Sequence, residues 1–266
     1  MNFKLRRLLI VVLITLFSLL AEYSVRGLNH FVENPALALV LFINYFPYFL
    51  ILEDTIGRFQ LKDSQLYSLA FAFAVLWQLL GTAVTFLPPK VFGFNLFGLI
   101  FNNFVWWPAL QTLLPFYFAN RIVPRKGSGP LLPKWGVVIA FVIFVLVTLG
   151  YRLFVKGFPV PTLWQVSVMM TMIVVSAVIF FKSIDGEGKI AAVSACDPCP
   201  DRVIDMTCIA LLMYLVYLAV FRIDDPTVVG VARLNATSLR NLVIVSALAS
   251  AIVGVRRWKT KKPIPI

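Results

Sequence analysis

Asp197, Asp201 and Asp205 recur at every fourth position of the segment Ala195-Cys196-Asp197-Pro198-Cys199-Pro200-Asp201-Arg202-Val203-Ile204-Asp205. On a helix that interval stacks three carboxylates on one side, an arrangement able to hold a divalent cation against a substrate phosphate. Pro198 and Pro200 oppose a helix running through Asp197. Asp201 and Asp205 are then expected as acidic residues at a helix start, where the dipole favours each by about 0.3 to 1 kcal/mol. Cys196 and Cys199 add a Cys-x-x-Cys spacing, used by thiol redox pairs and by half of a zinc site. Only Cys208 and His30 remain to complete a four-ligand zinc site, which disfavours structural zinc. No cofactor is expected, except a divalent cation if the aspartate row works as a metal site.

The row resembles that of the CDP-alcohol phosphotransferases, whose motif opens with Asp-Gly, as Asp185-Gly186 does here. That resemblance implies a membrane-embedded enzyme acting on a lipid-linked phosphate at the cytoplasmic face. The Ala-Arg pair that follows in the family is absent, its later Gly is absent, and the intervals between the acids differ. The enzyme therefore stands as the alternative reading.

Uncharged polar groups supply a second constellation. Phe101 to Gln111 carries Asn102, Asn103, Trp107 and Gln111 inside an otherwise apolar run. Positions 103, 107 and 111 share one helical face, and lipid offers amides no partner, so that face is expected to turn into protein or a cavity. Pro108 and Pro115 each remove a backbone donor and are expected to bend this helix. Asn44 and Gln78, on two other apolar runs, are candidates to line the same site. Interhelical hydrogen bonding is the plain structural role for all of them; lining a ligand is the functional one.

The elements that carry these residues follow from hydropathy. With 60% hydrophobic and 14% charged residues, the chain lies outside the soluble range of about 25% charged. Eight apolar stretches are long enough to cross a roughly 30 Å hydrocarbon core as helices: 8–25, 35–52, 66–87, 94–119, 135–154, 161–181, 203–221 and 239–255. Proline and glycine clusters punctuate them. All charged residues fall in loops or near span ends, with Glu22, Arg152 and Asp205 coming nearest to entering. A midplane proton relay or an Arg-rich voltage sensor is thus not expected.

Of the 24 basic residues, 17 fall on the side holding both termini and 7 on the other. By the positive-inside rule both termini are expected in the cytoplasm. The first apolar run leads into Glu22 and Tyr23 rather than a small-residue cleavage site, so it is expected to stay as a helix. The net charge of +12 is read as topology, not as a nucleic-acid surface.

The sequence therefore predicts an all-α polytopic membrane protein: one integral domain over 1–266, a bundle of about eight transmembrane helices with short loops, in the cell (inner) membrane. Its expected role is to bind or pass an apolar or amphipathic molecule, or to serve as a subunit of a larger membrane assembly. The bilayer, and other membrane subunits, are the expected partners.

Overall fold

The computed structural model describes residues 3–26, 35–82, 84–125, 129–154, 159–185 and 202–221, together with residue 244. Among them the secondary structure is helical, apart from one isolated bridge between Val91 and Phe94. The helices are α1 (Phe3–Arg26), α2 (Pro35–Phe59), α3 (Asp63–Leu80), α4 (Leu96–Ile100), a π-helix (Phe101–Leu113), α5 (Leu114–Ile122), α6 (Lys134–Phe154), α7 (Leu163–Asp185) and α8 (Arg202–Phe221). Seven of the eight expected spans coincide with helical segments. The eighth, 239–255, lies outside the described residues except for residue 244.

Among the described residues, three helical segments are both long and apolar enough to cross a membrane: Ala38–Phe59, Lys134–Leu153 and Leu163–Ile184. The latter two belong to α6 and α7, and most of their surface faces outward, with Leu146, Val138, Val174 and Phe181 all exposed. In water such an expanse of aliphatic surface would be an association hazard. Hydrocarbon removes that cost, because apolar side chains then meet apolar solvent.

Local sequence sets the helix ends. Asn95 caps α4, its side chain accepting from Gly98 N at 2.9 Å, and Thr162 and Gln165 form a reciprocal cap at the start of α7, the arrangement expected of a Thr-x-x-Gln sequence. The third helix stops at Leu80, short of the expected Leu87. Gly81 closes it by donating to Trp77 O at 2.7 Å, and Val84–Phe86 turn back as a 3-10 segment. Thr85 and Phe86 are buried there, so the apolar residues 84–87 fold against the bundle instead of lengthening the helix.

The core is unusually aromatic. Tyr45, Tyr48, Phe73, Trp77, Trp107 and Phe144 come from α2, α3, the π-helix and α6 and are all buried. Tyr48 meets Trp107 edge to face at 5.4 Å between centroids, and Phe73 meets Phe144 in the same way at 5.4 Å. Each such pair contributes about 0.5 to 1.5 kcal/mol beyond area burial. Rigid rings rather than flexible aliphatics therefore fix how the four elements meet.

Candidate functional site

The fourth span is wound more loosely than expected, as a π-helix across Phe101–Leu113 with Pro108 inside it. π-helical turns are rare and usually brief, and Pro108 cannot donate to the ladder. Asn103, Trp107 and Gln111 are all buried on this helix. Asn103 Nδ2 turns back to donate to Leu99 O at 2.8 Å, and its Oδ1, also buried, has no partner among the described residues.

Gln111 faces α1. Its Nε2 donates to Glu22 Oε2 at 3.1 Å, while Ser18 Oγ donates both to the Gln111 side-chain oxygen and to Gln111 O. Asn44 faces α6 instead, donating from Nδ2 to Thr148 Oγ1 at 2.9 Å, and Thr148 in turn donates to Phe144 O. Gln78 Oε1 accepts weakly from the N–H and hydroxyl of Thr85, at 3.4 and 3.3 Å. These polar groups are thus distributed over three interhelical junctions.

A cavity of about 60 Å³ lies where the C-terminal parts of α1, α3 and α6 approach the first half of the π-helix and of α2. Gln78, Asn102 and Trp107 line it; Asn44, Asn103 and Gln111 do not. Four further rings form its walls, Tyr45, Trp77, Trp106 and Tyr151, together with Leu41 and Val84. Tyr45 and Trp107 meet at 5.6 Å edge to face, and Trp77 and Trp107 at 5.2 Å. Glu22 supplies a carboxylate to the lining and Thr82 a hydroxyl. Glu22 is 7% exposed, and its Oε2 also accepts from Tyr45 OH at 3.5 Å. Thr82 Oγ1 is buried with no partner among the described residues.

Glu22 and the rings of Tyr45, Trp77, Trp106 and Tyr151 were not singled out as site residues by sequence, whereas Trp107 was. The available signal was Glu22 itself, an acid within a turn of the end of an apolar run. Nothing local indicated that Trp77 and Tyr151 converge on it.

A second charged constellation occupies the opposite end of the bundle. Glu53, fully buried on α2, receives Arg7 Nε at 2.7 Å and Arg125 Nε at 3.0 Å on Oε1, and Arg125 Nη2 on Oε2. Arg7 also donates to Glu53 O and, from Nη1 at 2.5 Å, to Gly129 O. Next to it, Asp54 Oδ1 accepts from the N–H groups of Leu131 and Leu132 at 2.6 and 2.8 Å, and Arg58 links Asp54 to Leu132 O. Burial pulls the Arg125 guanidinium below its ordinary range, opposed by the adjacent Glu53 charge. In the sequence the three arginines carry the expected topology, and Glu53 and Asp54 are no more than acids near a span end. The structure joins all five into a fastening that holds the segment around Gly129–Leu132 against the end of α2.

Asp197 and Asp201 lie outside the described residues, as do Cys196, Cys199 and His30, while Asp205 falls in the first turn of α8. Among the described residues no group of three His, Cys, Asp or Glu is placed to hold a metal ion. No family model, curated protein or solved structure matches the chain.

Proposed function

We propose that this chain is an integral membrane protein of about eight spans, with both termini in the cytoplasm, that binds an amphipathic molecule in the cavity walled by Trp77, Trp107 and Tyr151. The carrying observation is the make-up of that cavity: aromatic walls with a few polar residues, Glu22, Gln78, Thr82 and Asn102, in its lining. Ligand sites are built in this manner, with apolar walls for affinity and sparse polar groups for orientation. At about 60 Å³ the space is far below the roughly 300 to 1,000 Å³ of a site enclosing a whole drug-sized molecule. A headgroup fits, and the apolar remainder of the ligand lies outside. Thr82, Val84 and Asn102 are the half-buried lining residues, and they mark the side on which the tail leaves.

The outward apolar faces of α6 and α7 support the bilayer as the surrounding medium. They are also what supports the second reading, a subunit of a larger membrane assembly. Native mass spectrometry of the purified full chain tests the binding role. Retention of an amphipathic molecule by the wild type, and its loss from Thr82→Phe, which fills the cavity from its rim, is the expected result. Equal retention by both forms would place the binding elsewhere and leave the subunit role as the better account.

A further inference from the structure

We infer that the cavity selects a positively charged headgroup, a primary to quaternary alkylammonium, with Glu22 as its counter-ion and the rings of Tyr45, Trp77, Trp107 and Tyr151 as its cage. This rests on the binding role proposed above and names the ligand's chemistry.

The walls supply the first argument. A cation over an aromatic face is attracted by the ring quadrupole, most strongly by tryptophan, and several rings around one space make the cage by which quaternary ammonium ligands are recognised. Here Trp77 stands between Trp107 at 5.2 Å and Tyr151 at 6.2 Å, and Tyr45 closes against both tryptophans at 5.6 and 5.9 Å. All four rings are buried. An apolar ligand needs none of this geometry, because aliphatic walls would serve it equally.

The carboxylate supplies the second. Glu22 places a carboxylate among those rings, where it accepts from Gln111 Nε2 and Tyr45 OH, and an acceptor-only anionic group favours a cationic head over a neutral one. Its position on α1 is opposed by the helix dipole. Glu22 is in the last turns of α1, which ends at Arg26, and helix C-termini carry partial negative charge. The ends of α3 at Leu80 and α6 at Phe154 lie at the same end of the bundle, close to the lining residues Gln78 and Tyr151. A cation is favoured by that field and an anion opposed. Arg152 answers part of it by donating to Leu79 O and Pro159 O at 2.7 and 2.5 Å, and Arg152 is not among the residues lining the cavity.

Size supplies the third. A space of about 60 Å³ exceeds the roughly 10 to 15 Å³ needed by one water several-fold, which suits an ammonium carrying small substituents and no larger polar head. The hydroxyl of Thr82, without a partner among the described residues, offers an acceptor for an N–H or for a hydroxyl next to the ammonium.

The experiment compares choline with 3,3-dimethylbutanol, its uncharged isostere, by titrating the tryptophan fluorescence of the full chain in maltoside micelles. Wild type should bind choline at least tenfold more tightly than the isostere. Glu22→Gln should erase that preference while still binding the isostere, and Glu22→Asp, which keeps the charge, should retain part of it. Equal affinity of wild type for the two compounds, with both lost in Trp107→Leu, would overturn the ammonium preference and leave the cavity as a binding site. Saturable binding of neither compound would overturn both. Repeating the titration in nanodiscs at about 1 M salt, which screens the surface charge of the anionic discs to within roughly 3 Å, separates the sources: weaker apparent choline affinity in phosphatidylcholine than in phosphatidylglycerol discs identifies a lipid headgroup as occupant, and equal affinity identifies a free amphipathic amine.

Discussion

Arg7 and Glu53, 46 positions apart, are joined twice, from Arg7 Nε to the Glu53 carboxylate at 2.7 Å and from Arg7 Nη2 to the Glu53 main-chain oxygen. Both side chains are essentially without solvent contact. A buried ion pair adds little over a well-packed apolar one, but removing one partner strands the other and costs about 3 to 5 kcal/mol. Glu53→Gln, which leaves the Arg7 and Arg125 guanidinium groups facing each other across an amide, should therefore lower thermal stability in detergent by that amount. A loss under about 1 kcal/mol, the range of an exposed pair, would show that the fastening does not hold the fold.

Gly57 is needed at this junction because of its neighbours. A Cβ there would fall 2.5 Å from Gly129 O and would collide with the Arg7 guanidinium, while Gly129 N donates to Gly57 O at 2.7 Å. Gly129 itself has φ +119, a conformation that side chains disfavour. Gly57→Ala should expose the segment near Gly129 to limited proteolysis while leaving helix content, read by circular dichroism, unchanged. Protection equal to wild type would contradict the close packing described.

Asn44 serves as a control on the cavity. Since it bonds to Thr148 and does not line the cavity, Asn44→Leu should cost roughly 1 kcal/mol, the scale of one interhelical hydrogen bond in a membrane protein. Ligand affinity should change by less than threefold. A tenfold loss of affinity would return Asn44 to the binding site.

Hydropathy was a good guide to where the helices lie, since an apolar run of span length has little alternative in a chain of this composition. It did not show where α3 ends. Residues 84–87 are as apolar as the helix before them, and their turn back depends on Gly81 and on the contacts of Thr85 with Gln78. The inward turn of Asn103, Trp107 and Gln111 was legible because amides avoid lipid, yet only Trp107 of the three reaches the cavity. The other two were taken up by Leu99 O, Ser18 and Glu22, partners that spacing alone does not reveal. The Glu53 fastening was hidden for the same reason: Arg125 lies 72 positions away, and charges at a span end look alike whether they face water or one another.

Orientation is tested with single cysteines in a background lacking the three native ones. A cysteine at position 90 should react with an impermeant maleimide added outside intact cells, and one at position 126 should react only after the membrane is opened. The reverse pattern would invert the topology drawn from the basic residues.

The central claim, that the cavity beside Glu22 and Trp107 holds the head of an amphipathic molecule, is tested most directly by an experimental density map of the chain extracted with its native membrane. The account predicts non-protein density in contact with the Trp107 ring and the Glu22 carboxylate, continuing past Thr82 and Asn102 as an apolar tail. A map with ordered lipid along α6 and α7 but only water, or collapsed side chains, in the cavity would contradict it.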